Sequence, residues 1–484
     1  MVHSRYAAVA RILGILTMLF GASLALPLGV SLWLEDGESY HLATSGAVIL
    51  AVGFALWFPT RTETTELRNA DSFLVVGFYW IVLGLLGALP FMLGPHLDYV
   101  DSLFEAVSGF TTTGATVIVG IDEIPPSILL YRQQLQWLGG AGVVVLAVAV
   151  LPWMGVGGMQ LYRAEIPGPD KAEKLTPRIA RTARYLWGIY VALTAACALA
   201  YWLAGMSPFD AFAHSLSTVS TGGFSTHDLS LGYYDSWSIE AVAQIFMLLG
   251  AINFGLHFRA FRARSLRHYE SNAEVRAFIL IILAVIVSTA VVLQSETFFP
   301  SLGTSLRNAS FHVISVITTT GFSTSGFATW PLALPVIYMF ISFVGGCAGS
   351  TAGGMKVVRA LLLWKQGGYE LKVLIHPTLS AHIKLGTATQ DARVVSAVWG
   401  FFSVYAFTFV VLMILMMMTG ESQVTAFSAI ATCMNNLGPG LGDVASTFNG
   451  VNTSGKLIAV FAMLVGRLEV FTLIVLLTPA YWRR

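Results

Sequence analysis

The chain has 484 residues, of which 56% are hydrophobic and 11% are charged, whereas an average soluble domain carries about 25% charged residues. This composition excludes an ordinary soluble protein and indicates a chain that lies mostly within a membrane. The net charge of +1 gives no reason to expect a nucleic-acid partner.

Ten apolar runs are long enough to cross a lipid bilayer as helices, since about 18 apolar residues suffice. They lie at 12–34, 42–60, 72–94, 133–153, 185–205, 241–258, 277–295, 331–355, 394–418 and 457–480. The first run lacks a small-residue cleavage site, which favours a retained span over a signal peptide. We therefore expect about ten spans and almost no soluble domain.

Basic residues fall mainly on one side of these spans. They cluster at 163–184, 259–276 and 356–393 and near both ends, whereas the other side holds only Arg132, Arg307 and Lys456. Because Lys and Arg concentrate on the cytoplasmic side, both termini are predicted to be cytoplasmic. The outer loops are acidic, which would concentrate cations, although ordinary solvation explains them equally well.

One pattern recurs four times after the first two spans. A long apolar helix is followed by a short amphipathic segment, a polar glycine tract and a second long helix. The tracts read FEAVSGFTTTGAT from Phe104, FAHSLSTVSTGGFS from Phe212, FHVISVITTTGFS from Phe311 and FSAIATCMNNLGPG from Phe427. A Phe ten residues before the glycine in the first three copies aligns Gly114, Gly222 and Gly321, and Gly438 completes the set.

The short segments fit re-entrant half-helices, which a membrane tolerates only where they line a cavity or are buried in protein. The predicted fold class is an all-α polytopic membrane protein, with four membrane helix–pore helix–filter–membrane helix repeats around one pore and an extra helix pair in front. The predicted units are a two-helix region at 1–70 and repeats at 71–160, 161–265, 266–375 and 376–484, the third of which carries an intramembrane gating loop.

The tracts suit a cation that sheds its water, because extended backbone can present carbonyl oxygens in place of hydration. Glycine permits the conformations required. A single TTTG is often only a helix end with a glycine cap, but four copies between long apolar helices favour a filter. The predicted ion-binding residues are Thr112, Thr113, Gly114, Ser220, Thr221, Gly222, Thr319, Thr320, Gly321, Asn436, Leu437 and Gly438.

Two further features interrupt apolar runs. The segment 345–354 holds too many small residues for a continuous helix, since each glycine costs roughly 1 kcal/mol against alanine; the alternative is tight helix packing. Its residues are Gly345, Gly346, Gly349, Ser350, Thr351, Gly353 and Gly354.

Arg467 lies inside a span, where charges are usually functional, although pairing with Glu469 or a neighbouring helix would make it structural. The three cysteines, Cys197, Cys347 and Cys433, are predicted to be free buried thiols.

These tracts, together with GGCAGSTAGGMKVVR at 345–359 and GRLEVFT at 466–472, resemble the Trk/Ktr/HKT superfamily of potassium transporters over essentially the whole chain. The helix pair at 8–60 is similar to the Trk branch, because Ktr membrane subunits lack it. The resemblance implies a bacterial inner-membrane protein with filter glycines at Gly114, Gly222, Gly321 and Gly438, and a gate formed by 345–354 with Arg467.

The resemblance also implies a homodimer with one pore per subunit and a cytosolic, nucleotide-binding regulatory subunit of the TrkA type. The chain has no P-loop, so no cofactor is expected in it, and potassium enters only as the transported ion. Asn436 and Leu437 replace the hydroxyl pair of the other tracts, which puts equal ligand roles for the four copies in doubt.

The predicted function is potassium uptake through a gated, channel-like pore with a glycine-based filter. The alternative is a cation symporter that couples potassium entry to protons or sodium. A symporter would need a buried ionisable relay, and apart from Arg467 and Glu469 the sequence offers no convincing one. A membrane enzyme would need a convergent acid, base or metal cluster, and none is visible in the sequence.

Overall fold

The computed structural model describes residues 2–62, 69–149, 175–378, 382–386 and 388–483. The chain is mostly helical and confirms the predicted all-α polytopic class. The strands of the described ranges, Lys384–Leu385 and Ala388–Thr389, form a short antiparallel hairpin. Several predicted features lie outside the described residues. They are the boundary at 160/161, the end of the span 133–153 and the basic residues Arg68, Arg163, Lys171 and Lys174.

The α-helices within the described ranges follow one another with short connections. They are Val2–Ser23, Ala25–Leu34, Ser39–Trp57, Asn69–Gly87, Leu89–Leu93, Tyr99–Phe110, Pro126–Ala149, Leu175–Leu203, Pro208–Val219, Trp237–Ala251, Phe254–Ala263, Arg267–Ser271, Ala273–Ser295, Leu302–Ile317, Leu334–Val344, Val357–Ile375, Ala392–Met418, Gln423–Asn435, Thr453–Arg467, Phe471–Leu477 and Pro479–Trp482.

Six predicted spans correspond to helices long and apolar enough to cross a membrane. They are Tyr6–Leu34, Ser39–Thr60, Phe73–Leu93, Ala183–Leu203, Ala273–Ser295 and Ala392–Met418. The runs at 241–258 and 457–480 are not the straight helices that apolar length alone suggests. They bend by 99° and 113°, respectively. Asn253 begins a new helix at the first bend, where its side chain accepts hydrogen bonds from Gly255 N and Leu256 N.

The N-terminal helix pair packs backbone against backbone. A Cβ atom on Gly14 would lie 2.8 Å from the Gly53 carbonyl oxygen, so only glycine permits the observed approach. Small residues at such crossings are typical of membrane helices. The pair is tied to the first repeat by a 2.8 Å hydrogen bond from Gln134 Nε2 to Ser23 O. It therefore flanks the repeats as the sequence predicts.

Four short helices end in the interior of the described structure, and we number them half-helices 1 to 4. They are Tyr99–Phe110, Pro208–Val219, Leu302–Ile317 and Gln423–Asn435. Each begins at a capping side chain that accepts a hydrogen bond from the backbone N–H three residues on. The capping residues are Asp98, Ser207, Ser301 and Ser422. The short amphipathic segments of the sequence are therefore helices with defined starts.

Two large apolar clusters hold these half-helices. One cluster joins the N-terminal pair, half-helix 1 and half-helix 4, and includes Phe104, Trp80 and Met463. The other surrounds half-helices 2 and 3 and includes Phe311 and Phe254. Residues of the polar tracts take part in both clusters, Ala115 in the first and Phe322 and Leu437 in the second.

Candidate functional site

The four half-helices end in the same three-residue backbone conformation. The first position has a φ of 54° in every copy, a left-handed value that is uncommon for residues other than glycine. It is occupied by Thr112, Thr221, Thr319 and Asn436. At the second position the backbone N–H donates to a carbonyl of the preceding half-helix at 2.8–2.9 Å. That position is occupied by Thr113, Gly222, Thr320 and Leu437.

The third position is a glycine with φ between 79° and 102°, and it is occupied by Gly114, Gly223, Gly321 and Gly438. The predicted alignment of Gly222 with the other three glycines is therefore wrong by one residue. In the second tract Ser220 is the last helical cap residue. The structural equivalents of Thr112-Thr113-Gly114 are Thr221-Gly222-Gly223.

The Phe-to-glycine spacing misled the alignment because the two Phe residues are not equivalent. Phe104 lies six residues after the capping Asp98, whereas Phe212 lies five after Ser207. Counted from the cap, the third-position glycine falls sixteen residues later in both tracts. A better signal was available in the sequence, since the triplet GFS occurs at 223–225 and again at 321–323.

The four tracts close into a ring, because each third-position glycine packs against the second-position carbonyl of the next tract. A Cβ on Gly114 would overlap Gly222 O, and one on Gly223 would overlap Thr320 O. The same holds for Gly321 against Leu437 O, and a Cβ on Gly438 would lie 2.8 Å from Thr113 O. This ring of carbonyls, which we call the carbonyl ring, comprises Thr113 O, Gly222 O, Thr320 O and Leu437 O.

The carbonyl ring is not fourfold symmetric in its bracing. Gln136 Nε2 donates to Gly222 O at 2.7 Å, and its Oε1 accepts from Ser217 Oγ and Phe224 N at 2.7 and 3.1 Å. Asn436 Nδ2 donates to Thr113 Oγ1 at 3.0 Å and so links the fourth tract to the first. The four copies are therefore not equivalent, as the sequence of the fourth tract suggested.

A cavity of about 460 Å³ opens onto one side of the carbonyl ring, and we call it the vestibule. All four third-position glycines line it, whereas Gly222 does not. Its walls also include Arg132, His227, Asp228 and several Ser and Thr residues. The lining independently supports Gly223 as the equivalent glycine of the second tract.

Arg132 forms a buried ion pair that the sequence reasoning missed. Its Nε donates to Glu105 Oε1 at 2.8 Å, and both side chains are at most 1% exposed. Nη1 donates to Ser225 O at 3.1 Å, and the guanidinium lies 4.1 Å from the Phe224 ring centroid. The pair thus braces the first and second tracts. Arg132 stands immediately before the predicted span 133–153 and was assigned to an outer loop, so no local pattern in the sequence indicated its buried partner.

His227 joins two loops at the vestibule wall. Its Nδ1 lies 2.6 Å from Asp122 Oδ1, and Nε2 lies 3.8 Å from Asp210 Oδ1. Its ring stacks on Tyr233 with centroids 3.6 Å apart. Burial by itself would lower the pKa of this imidazole, but the carboxylates of Asp210 and Asp122 outweigh burial and raise the pKa of His227 above its ordinary value.

A raised pKa makes the protonated His227 a stabilising group whose contribution is lost as pH rises through that pKa. We expect the difference in melting temperature between the parent and His227→Gln to be largest below about pH 6.5, the ordinary pKa of histidine. The difference should shrink as pH rises further. Thermal unfolding of the purified protein across this range measures it, with the exposed His376→Gln as control. A difference that does not change with pH would contradict a charged His227.

The predicted break at 345–354 is confirmed, since one helix ends at Val344 and the next begins at Val357. The loop lies against the ends of three half-helices, on the side away from the vestibule. Thr351 Oγ1 donates toward Val219 O at 3.0 Å, and Gly353 N donates to Thr319 Oγ1 at 2.6 Å. Gly354 N donates to Asn435 O at 3.1 Å.

The loop is also anchored beside the bend of the helix pair Trp237–Ala251 and Phe254–Ala263. Asn253 Nδ2 donates to Ala348 O at 2.6 Å, and Cys347 N donates to Ala251 O at 2.8 Å. Cys347 is free and buried, as are Cys197 and Cys433, which confirms the cysteine prediction. The bend in the second repeat therefore provides the seat for the loop.

Arg467 contacts this loop directly. Its Nη1 donates to Thr351 O at 2.9 Å, and Nη2 lies 3.5 Å from Gly139 O in the first repeat. Arg467 does not pair with Glu469, which forms an ion pair with Arg359 instead. The hydrogen bonds of the loop itself reach half-helices 2, 3 and 4. Through Gly139 O, the buried guanidinium of Arg467 links the loop to the first repeat as well.

The chain matches the family described as "TrkH: Cation transport protein" over residues 39–484. It is 51% identical to the Trk system potassium uptake protein TrkH of Vibrio parahaemolyticus over 99% of this chain and 100% of that protein. It is 38% identical to TrkG of Escherichia coli, with 99% of each chain covered. A solved structure, the crystal structure of the potassium transporter TrkH from Vibrio parahaemolyticus, superposes with a TM-score of 0.92 at 48% identity, covering 99% of this chain and 100% of that one.

Proposed function

The chain belongs to the TrkH family of cation transport proteins, and on that premise we propose that it is the membrane subunit of a potassium uptake system. In this proposal K⁺ crosses the bacterial inner membrane through one pore in each chain, and both termini are cytoplasmic. The observation that carries the proposal is the carbonyl ring, in which four tracts meet through glycines that cannot bear a side chain.

The carbonyl ring serves as the selectivity filter in this account. Its carbonyl oxygens replace the water that a monovalent cation loses, and their number and field strength favour K⁺ over Na⁺. The half-helices end at the ring, so the negative ends of their dipoles face the ion. The ion-binding residues in the corrected register are the first-position, second-position and third-position residues of the four tracts.

The loop at 345–354 serves as the gate, with Arg467 holding it closed. Its backbone cannot face lipid, because unpaired amides in hydrocarbon cost several kcal/mol each. In the described structure its amides bond to the half-helix ends, on the far side of the ring from the vestibule. An ion that leaves the ring on that side would meet the loop.

Gated conduction is favoured over proton or sodium symport by the pairing of three carboxylates, of which Glu105 is buried and Glu469 and Asp101 are partly buried. Glu105 is held by Arg132 at 2.8 Å, and Glu469 is held by Arg359. Asp101 is held by Lys456 at 2.5 Å. Binding of H⁺ or Na⁺ at one of these carboxylates would require its ion pair to break, which is costly for partners removed from water.

Flux through the purified protein in vesicles tests the proposal. We expect K⁺ and Rb⁺ to permeate and Na⁺ and Li⁺ to permeate much less at a fixed voltage. The reversal potential should follow the K⁺ gradient and stay unchanged when a pH or Na⁺ gradient is imposed. A reversal potential that moves with either gradient would instead establish symport.

We propose a homodimer and a cytosolic, nucleotide-binding partner of the TrkA type, which docks on the basic cytoplasmic loops. Reversing the charge of the exposed residues Arg262, Arg264 and Arg267 should weaken binding of this partner, and added salt should weaken binding to the parent. A pull-down at low salt measures the effect. Glu296→Lys, on the proposed outer side, is the matched control. Binding that survives reversal of these and of the other two basic loops would rule out this docking face.

A further inference from the structure

The first-position side chains beneath the carbonyl ring do not all have partners. Thr112, Thr221, Thr319 and Asn436 are each at most 1% exposed. Two of their oxygens are engaged by the loop: Thr319 Oγ1 accepts from Gly353 N at 2.6 Å, and Thr221 Oγ1 lies 3.3 Å from Thr351 Oγ1. The other two, Thr112 Oγ1 and Asn436 Oδ1, are buried without a hydrogen-bond partner.

The orientation of Asn436 is fixed by its amide nitrogen. Nδ2 donates to Thr113 Oγ1, Cys433 O and Met463 O at 3.0, 3.3 and 3.1 Å. Cys433 O and Met463 O are carbonyls, which can only accept, so flipping the amide would lose both of these bonds. The unpartnered oxygen is therefore a property of the site. A buried oxygen without a partner is costly and calls for a ligand or another reason.

The loop places backbone N–H donors at oxygen atoms that a bound cation would otherwise contact. Gly353 N–H points to the Thr319 hydroxyl, and Gly354 N–H points to Asn435 O. A Cβ on Gly353 would overlap Asn435 O, so the approach depends on glycine. Arg467 brings a positive charge next to the loop, because its guanidinium donates a hydrogen bond to Thr351 O, two residues before Gly353.

We propose that the four first-position oxygens form an inner cation site, and that the loop segment 351–353 closes the pore by occupying two of its ligands. The inference rests on the proposed function and adds a coupling to it: loop and cation compete for Thr221 and Thr319. Because each binder excludes the other, a cation at the inner site favours the open loop, and by linkage an open loop raises cation affinity.

The natural Cys347 reports the loop position, because it is fully buried within the closed loop. In a background with Cys197→Ser and Cys433→Ser, the rate at which a small methanethiosulfonate modifies Cys347 should rise with K⁺ concentration. N-methylglucamine at equal ionic strength is the comparison cation. A rate that is the same in both salts would overturn the proposal.

Thr112→Val is the decisive variant, because Thr112 donates an oxygen to the proposed site but forms no hydrogen bond with the loop. The K⁺ concentration for half-maximal modification should rise about tenfold, as expected for loss of one ligand of hydrogen-bond strength. Thr112→Ser should restore it, and Thr408→Val, whose hydroxyl bonds only to its own helix at Val404 O, should not change it. An unchanged half-maximal concentration in Thr112→Val would contradict the inner site.

Thr319→Val removes both a cation ligand and the partner of Gly353. Modification should therefore be fast already without K⁺ and respond little to it, whereas Thr319→Ser should behave like the parent. If Thr319→Val does not fold, the two Ser variants and Thr112→Val still decide the matter. K⁺ flux in the same preparation separates failure of this inference from failure of the proposed function. If the parent conducts K⁺ but the modification rate of Cys347 does not depend on K⁺, only this inference is refuted. If the parent does not conduct K⁺, the proposed function is refuted.

Discussion

Replacing Gly223 by Ser should lower K⁺ flux, or its ratio to Na⁺ flux, by about tenfold or more, because left-handed backbone at a residue other than glycine costs about 1–3 kcal/mol and a factor of ten corresponds to about 1.4 kcal/mol. Gly223 has a φ of 82°, and an added Cβ would overlap Thr320 O. Gly321→Ser should act alike, since its Cβ would overlap Leu437 O. Ion flux into vesicles measures both.

Two controls separate a filter effect from general damage. Gly188→Ser should leave flux unchanged, because a Cβ there meets nothing within 4 Å. Gly222→Ala should be milder than Gly223→Ala, since Gly222 has no positive φ and its Cβ would meet the end of the Gln136 side chain, which can be displaced at the cost of its hydrogen bonds, instead of backbone. Equal damage from the two alanine variants would contradict the corrected register.

Shortening the loop between Gly345 and Gly354 should raise flux through this chain alone, in the absence of the proposed cytosolic partner. Arg467→Ala should act in the same direction, because it removes the hydrogen bond from Nη1 to Thr351 O. Charge-assisted hydrogen bonds contribute about 1.5–3 kcal/mol, so we expect an increase of about tenfold to a hundredfold in flux. Selectivity should survive, since the carbonyl ring is formed by other residues.

Arg467→Lys is the matched control for charge, because lysine keeps the charge but lacks the planar fork that spans Thr351 O and Gly139 O. An intermediate flux would assign part of the effect to geometry. Each variant is first checked for folding by its thermal unfolding in detergent. A folded loop deletion that conducts no faster than the parent would make the loop a packing element, and the gate would lie elsewhere.

The sequence predicts the architecture well, because spans and repeats depend on composition and length. Within the described residues, six of the ten apolar runs are single helices long enough to cross a membrane and two are bent pairs, and the four tracts located the half-helix ends. The bends at Asn253 and after Arg467 were missed at the level of spans, because apolar length does not reveal a change of direction. The predicted register of the second tract was wrong for a related reason. A single Phe cannot align two tracts when its distance from the start of the helix differs by one residue between them.

Ion pairs between distant residues were the other feature that the sequence did not predict. Arg132 and Glu105 lie 27 residues apart and meet only when the half-helix packs against the following membrane helix. Glu469 and Arg359 lie 110 residues apart, in different repeats. No local pattern joins such partners, although a charge within an apolar run indicates that a partner exists.

The most direct test of the filter is to locate the bound ion. Crystals of the protein grown or soaked in a Rb⁺ or Tl⁺ salt would give anomalous scattering from the ion itself. We predict a peak at the carbonyl ring, within coordination distance of the oxygens of Thr113, Gly222, Thr320 and Leu437, and its loss in Gly223→Ser. A peak confined to another part of the molecule, or one that persists unchanged in that variant, would contradict the carbonyl ring as the potassium filter.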